Sequence, residues 1–297
     1  MKRFASFFLN AAVAICVCCF LSSCHHGQES ERPAFNDTLV ILHTDDVHSQ
    51  VEPYSNNLGG ALRRMGFVED VRKKYVNVLM FDAGDFSQGS SYYKVFKGRC
   101  DVELMNKMGY AAATLGNHEF DSGAKYLADT LLAAAKFPVV LSNYQFDEGF
   151  VLNERNIKPY LILDTCGLRI GVFGLLVDLQ GLTACSELFE TPGMHYQSAY
   201  DVASRVSTEL KEKHHCDYVI CLSHLGYKPN EAHPKDVDGE IAQLPNVDLV
   251  IGGHDHASRA NNRSADGTYY VMNKNQGVEI GMFKLPFERK SKVFGKR

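Results

Sequence analysis

The stretch Leu115-Gly116-Asn117-His118-Glu119-Phe120-Asp121 decides how this chain is read. It follows the apolar run Ala111 to Leu115 and precedes a helical pattern that continues to about Ala135, so an amide, an imidazole and two carboxylates fall where a strand ends and a helix begins. At such a junction exposed backbone N–H groups and the helix dipole favour an anion. Other segments repeat the arrangement. TLVILHT at 38–44 runs into Asp46 and His48, VNVLMF at 76–81 into Asp82 and Asp85, DYVICL at 217–222 into His224, and VDLVI at 247–251 into His254 and His256. Each run is short and aliphatic or β-branched, the pattern of a buried strand, and each stops on metal-ligand residue types. Strands lying side by side in one direction put their C-terminal ends on one rim, where open α/β sheets hold ligands.

The remainder of the chain is consistent with a single large domain. At 297 residues, 45% hydrophobic and 22% charged, it has ordinary globular composition and enough length for a sizeable core. The formal charge is −4, and removing residues 1–23, which hold Lys2 and Arg3 and no acid, takes it to −6. An acidic body argues against a nucleic-acid duplex as partner, since such binding is dominated by Lys and Arg contacts to phosphates.

The N-terminus has a basic start and an apolar stretch from about Phe7 to Leu21, too short for a comfortable membrane span and laid out as an export signal. Leu21-Ser22-Ser23-Cys24 resembles the lipobox of bacterial lipoproteins, which implies cleavage before Cys24, lipid on its sulfur and a location in the bacterial cell envelope outside the cytoplasm. The expected organisation is a signal at 1–23, a polar tether at 24–37, one domain at 38–286 and a basic tail at 287–297, with the tail fraying. Of nine cysteines, Cys100, Cys166, Cys185, Cys216 and Cys221 remain once the signal and Cys24 are set aside. None of these forms a C-x-x-C spacing, so a zinc ribbon is unsupported.

Between the rim segments the spacing predicts helices over about 61–74, 100–108 and 198–213, the last with Ala199, Val202, Val206 and Leu210 on one face. A strand is expected over 138–142, a hairpin turning at Asp164-Thr165-Cys166-Gly167, a short helix near 239–243, and Asp266-Gly267 as the turn of two final strands, 268–273 and 278–285.

Asp46, His48, Asp85, Asn117, His224, His254 and His256 form a mixed imidazole, carboxylate and amide donor set, large enough for two divalent ions and suited to Zn, Mn or Fe. With these motifs in this order the chain resembles the calcineurin-like metallophosphoesterases, and within them the catalytic domain of the bacterial 5'-nucleotidase and UDP-sugar hydrolase family. The matching motifs are Leu42-His43-Thr44-Asp45-Asp46-Val47-His48, Gly84-Asp85-Phe86-Ser87-Gln88-Gly89, Gly116 to Asp121, Ser223-His224-Leu225-Gly226 and Gly252-Gly253-His254-Asp255-His256, within roughly 39–285. The resemblance implies a four-layer α/β/β/α sandwich with two mixed sheets. It implies that Asp46, His48 and His256 hold one metal, Asn117, His224 and His254 the other, that Asp85 bridges them, and that His118 with Asp121 is the catalytic dyad. Hydrolysis of phosphomonoesters, nucleoside 5'-monophosphates first, is the expected activity. A cyclic-nucleotide or nucleotide-sugar phosphodiesterase is the rival.

The chain also departs from the family pattern. Asp45 stands where the family has Asn, and Ser49 where it has Gly. Two-domain members carry a C-terminal half that grips the nucleoside. No such half follows Leu285 here, so the grip is expected from a separate partner protein or is not needed. Other polar residues have plainer readings: His43 as a core histidine, Asp82 as a backbone-bonding carboxylate, and Glu119 as either a cap or a participant. His195, His214, His215 and His233 read as solvated, and Arg63 and Arg64 as a solvated helix face or a phosphate contact. Tyr92 and Tyr93 read as cleft lining or packing.

Overall fold

The computed structural model describes residues 37–153, 155–182, 193–229, 231–263, 267–288 and 293–294. The expected signal, most of the tether, Cys24 and Cys185 lie outside them. The chain order begins β1 (Asp37–Thr44), α1 (Ala61–Lys74), β2 (Asn77–Asp82), α2 (Ser91–Phe96), α3 (Arg99–Met108) and β3 (Ala112–Ala113). A 3-10 turn (Asn117–Phe120), α4 (Ala124–Tyr126), a π-helical run (Leu127–Leu132), β4 (Val139–Val140), β5 (Tyr144–Phe146), β6 (Ile157–Lys158), β7 (Tyr160–Thr165) and β8 (Leu168–Leu176) follow. The chain then forms β9 (Met194–Tyr196), α5 (Ala199–Glu212), β10 (Tyr218–His224), α6 (Asp238–Ile241), β11 (Leu249–Gly252), β12 (Arg259–Arg263), β13 (Tyr269–Met272), β14 (Gly281–Glu288) and β15 (Val293–Phe294).

The strands make a seven-stranded sheet, β15-β14-β1-β2-β3-β4-β6, a six-stranded sheet, β12-β13-β11-β10-β8-β7, and a separate pair, β5-β9. Both large sheets are mixed: β1 runs parallel to β2 but antiparallel to β14, and β8 runs parallel to β10 but antiparallel to β7. The two-residue period of a strand explains how they stack. Along β1, Val40 and Leu42 pack in a cluster with α1 and α3 residues such as Val68 and Met105, while Leu39 and Ile41 pack in a second cluster with Ile220 and Leu222 of β10. Along β10, Val219 and Cys221 face the other way, onto Val202 and Val206 of α5. Three apolar interfaces separate four layers, as the resemblance implies.

At one point the sheets come close enough for backbone to bond across them. Ser142 N–H donates to the Gly174 carbonyl oxygen (2.8 Å), and a Cβ at Gly174 would run into the Val140 carbonyl oxygen. Ser198 caps α5, accepting a hydrogen bond from Asp201 N. The expected hairpin turn has positive φ at both Cys166 and Gly167, the conformation of a tight two-residue turn.

Some expectations fail for local reasons. β13 and β14, expected as two final strands sharing one turn, enter different sheets, and β13 instead pairs with β12, which the pattern did not predict. The tail does not fray at Phe287: that side chain is fully buried, β14 runs on to Glu288, and β15 pairs with it. Among the described residues no helix is long and apolar enough to cross a membrane.

Candidate metal centre

β1, β2 and β3 end at the same edge of one sheet, and β10 and β11 do so in the other. The loops that leave these ends are bonded to one another through backbone groups and through the Asp46 carboxylate. Asp46 N donates to the Gly84 carbonyl (3.0 Å), His48 N to the Asp85 carbonyl (2.9 Å), and His254 N to Asp46 Oδ2 (2.9 Å). Asp46, His48, Asp85, His254 and His256 all have positive φ, a region side chains with a Cβ seldom occupy. Each such residue costs of order 1–3 kcal/mol and persists only where the surroundings impose it, a pattern that gathers at functional sites.

The side chains converge in three overlapping groups whose ligand-type atoms lie within 4.8 Å of one another: Asp46, His48 and His256; Asp85, His224 and His254; and His48, Asp85 and His118. His48 Nε2 and His256 Nε2 are 3.0 Å apart, and His254 Nδ1 is 3.0 Å from Asn117 Oδ1. Asn117 Nδ2 donates to the Leu182 carbonyl (2.9 Å), which turns its amide oxygen toward His254. All the residues singled out as ligands from the sequence are therefore in one place.

The donor set fits a cation on local grounds. His224 Nδ1 donates to the Ala83 carbonyl oxygen (2.7 Å), so its proton is committed there. His224 Nε2 is buried, makes no hydrogen bond, and lies 3.1 Å from Asp85 Oδ2. A lone pair facing a carboxylate oxygen at that distance is repulsive unless a proton or a cation sits between them. Burial opposes charge on this ring, yet the Asp85 carboxylate pushes its pKa up to about 10. Burial also opposes charge on Asp85, but the His224 charge, with His48 and His118, holds that carboxyl below its usual range. His254 goes the other way: burial, then the nearby His224 charge, lowers it to about 4, leaving a neutral imidazole of the kind metals take.

His118 stands at the more open side. Its Nδ1 is 2.7 Å from Asp121 Oδ2, and its side chain is 29% exposed. Its backbone N–H donates to Asp85 Oδ1 (2.9 Å). The helix N-terminus expected to favour an anion is here a single 3-10 turn, and the N–H groups of its cap Gly116 and of His118 already have carboxylate partners. Gly116 N donates to Glu119 Oε2 (2.7 Å), and His118 N to Asp85. Gly116 itself is required, since a Cβ there would meet the Asp85 carboxylate.

Glu119 does not reach the centre but ties it together. Buried, it accepts hydrogen bonds from Asp85 N (2.9 Å), Ser87 N (3.0 Å), Ser87 Oγ (2.8 Å) and Gly116 N (2.7 Å), joining the loop of Asp85 to that of Asn117. Burial and the Asp85 charge raise its pKa, while these donors favour the ionised form. Glu119→Gln turns an amide NH2 toward backbone donors, and a loss of about 2–4 kcal/mol is expected from buried groups left unpaired. A denaturant midpoint unchanged from the parent would refute the tie.

The departures from the family pattern have partners of their own. Asp45 faces away from the ligands and accepts from Asn273 N (3.0 Å) and Asn273 Nδ2 (2.8 Å). Ser49, at φ 50°, donates to buried Asp101 (2.6 Å). Arg64 is not on a solvated helix face: it turns inward and donates to the Gln50 carbonyl (3.1 Å). His43 is a buried histidine bonded to Asn273, and Asp82 accepts from Thr44 Oγ1 and Gly84 N. His195, His214 and His233, read as solvated, lie beside Asp147, Tyr160 and Asp178 respectively.

The sequence reading missed the loop after β13. Asn275 Nδ2 lies 3.0 Å from His256 Nδ1, and Gln276 N donates to the Asp46 carbonyl (2.6 Å). The signal was present, since Asn273-Lys274-Asn275-Gln276-Gly277 is a turn-rich stretch directly after a strand, like the other rim loops.

The sequence profile of the calcineurin-like phosphoesterase family matches residues 39–258. The chain is 32% identical over 269 residues to a snake venom 5'-nucleotidase of Gloydius brevicauda, covering 85% of this chain and 41% of that protein. It is 29% identical over 291 residues to the trifunctional nucleotide phosphoesterase protein YfkN of Bacillus subtilis, covering 86% of this chain and 18% of that one. Among solved structures, a 5'-nucleotidase precursor from Thermus thermophilus superposes with a TM-score of 0.74 at 29% identity, over 87% of this chain and 53% of the other. The chain thus spans about half, or less, of the length of these relatives.

Proposed function

Since the chain belongs to the calcineurin-like phosphoesterase family, we propose that it hydrolyses phosphomonoesters, nucleoside 5'-monophosphates first, at a centre that binds two divalent ions. The observation carrying this is the convergence of Asp46, His48, Asp85, His118, His224, His254 and His256 in overlapping groups. Asp46, His48 and His256 would hold one ion, Asn117, His224 and His254 the other, and Asp85 both. Bound there, Zn, Mn or Fe would supply a Lewis acid toward the phosphoryl oxygens and make hydroxide available near neutral pH.

The chain's own groups do the rest. His118 presents the ring nitrogen not engaged by Asp121 to the phosphoryl group or its leaving oxygen, where it stabilises charge or delivers a proton. Asp121 fixes the ring's orientation. The backbone ties from Glu119, Gly84 and Gln276 hold the carboxylates in position, so that little reorganisation accompanies the reaction.

The test is a substrate panel read by phosphate release with Mn or Zn. An aryl phosphate and nucleoside monophosphates should both be cleaved, and turnover confined to cyclic nucleotides or nucleotide-sugars would favour the phosphodiesterase reading. Repeating the panel with neighbouring gene products tests whether a separate partner grips the nucleoside. We further propose that residues 1–23 are an export signal and that lipid on Cys24 anchors the protein in the bacterial envelope, with residues 24–37 as tether. Cys24→Ser is expected to move the protein from the membrane pellet to the salt-washed soluble fraction, and an unchanged fractionation would remove the anchor.

A further inference from the structure

A surface helix ordinarily turns an apolar stripe to the core. α2 does not: Tyr92, Tyr93, Val95 and Phe96 make up four of its six residues, and none of the six is buried. Val95 is 72% and Phe96 49% exposed. The helix is held by its ends and its phenols instead. At its start Gly89 lies against His48, and Ser90 Oγ donates to the Ser49 carbonyl (2.6 Å) while accepting from Tyr92 N (3.1 Å). At its end Gly98, at φ 87°, lies against Ser87 in the loop of Asp85, where a Cβ would clash. Tyr92 Oη donates to Glu52 (2.6 Å), and Tyr93 Oη is 3.2 Å from Ser122 Oγ. Lys97 Nζ backs the Tyr93 ring at 5.2 Å from its centroid, and the Phe96 ring stands 6.3 Å from that of Tyr92. Ser122 adjoins Asp121, which holds the His118 ring. α2 is thus tied on one side to the neighbour of His48 and on the other to the neighbour of Asp121, and the His48 and His118 rings are themselves adjacent, with centroids 5.4 Å apart.

We propose that α2 is this chain's own grip on the nucleoside: the base carried by the leaving group stacks on the rings of Tyr92 and Tyr93 while the phosphate lies at the metal centre. The inference rests on the phosphomonoesterase reading and names how that same site holds its substrate. His118 is assigned to the phosphoryl group or its leaving oxygen, and its ring is 29% exposed, so the rest of the ester extends from the centre on its side. α2 borders that side. Ser122, to which Tyr93 is tied, is exposed and lies outward of Asp121, where a ribose would carry the base. The bonds at Glu52 and Ser122 hold the rings before any ligand arrives, so little side-chain freedom is lost on binding. Every base has a π-face, and stacking therefore accepts a base without selecting which one.

The base alone distinguishes a nucleoside 5'-monophosphate from ribose 5-phosphate, so these two esters are compared on the Mn-loaded protein with no partner added. The parent is expected to favour the nucleotide in kcat/KM roughly tenfold or more, the order of one stacked base. In a Tyr92→Ala, Tyr93→Ala variant that ratio should fall toward one, through KM, because stacking is the same in the ground and transition states. A Tyr92→Phe, Tyr93→Phe variant keeps the rings and should keep most of the preference. The ratio does not depend on how much of a variant folds. An alanine variant that retains the parent's ratio, a parent that cleaves both esters with equal efficiency, or a preference that emerges only when a neighbouring gene product is added would overturn the grip and leave the phosphomonoesterase reading standing. A parent that cleaves neither ester would remove that reading, and this inference with it.

Discussion

Asp85→Asn is expected to leave the protein folded, to release both metal ions and to lower phosphoester turnover roughly 10³-fold or more, because the charge that stabilises the reaction is lost with the ions. The ligand groups overlap through two residues, His48 and Asp85, and Asp85 is the carboxylate of the pair. Its Oδ2 lies 3.1 Å from His224 Nε2 and 3.9 Å from His48 Nε2, rings that belong to different groups. Its Oδ1 accepts from His118 N, and its own N–H donates to Glu119, so an isosteric amide can keep the backbone arrangement. What Asn removes is the negative charge that both ions would share if Asp85 bridges them. Elemental analysis after loading decides the matter: two equivalents retained per chain would mean that Asp85 does not bridge.

His118→Ala should have the opposite signature, full metal content with turnover reduced about 10²–10⁴-fold, the range of general acid–base catalysis. The reason is a division of labour within one residue. The backbone N–H of His118 supports Asp85 and survives the substitution, whereas the ring, held by Asp121, does not. The geometry also contains the competing assignment, since a ring nitrogen of His118 lies in one ligand-type group with His48 and Asp85. Parallel loss of one metal equivalent and of turnover would make His118 a ligand and would end its assignment to the phosphoryl group.

Much of this architecture was legible because its information is local. The alternation Leu39, Val40, Ile41, Leu42 specifies a strand buried on both faces, and the structure divides those residues between two apolar clusters. The ligand residues could be read for the same reason, since each directly follows such a run. What could not be read depends on partners far away in the chain. Arg64 turns inward to the carbonyl of Gln50, a loop residue, and Asp45 is taken up by Asn273, which donates to it from both backbone and side chain. The helix expected to run on to about Ala135 forms, but only from Ala124, because Gly123, at φ 85°, breaks the continuation from the 3-10 turn, and over Leu127–Leu132 it takes π-helical spacing. β5 and β9 pair across a separation that no periodicity reports.

The four hydrogen bonds gathered by Glu119 have a consequence for how the protein is supplied with ions. They are made entirely by the polypeptide, so the two ligand loops are registered against each other without help from any cation. Chelation should therefore strip the enzyme without unravelling it, unlike domains whose folding energy is their metal affinity. Which ion occupies the cage is then decided by what the surroundings offer while the protein is working, and can be exchanged during its lifetime.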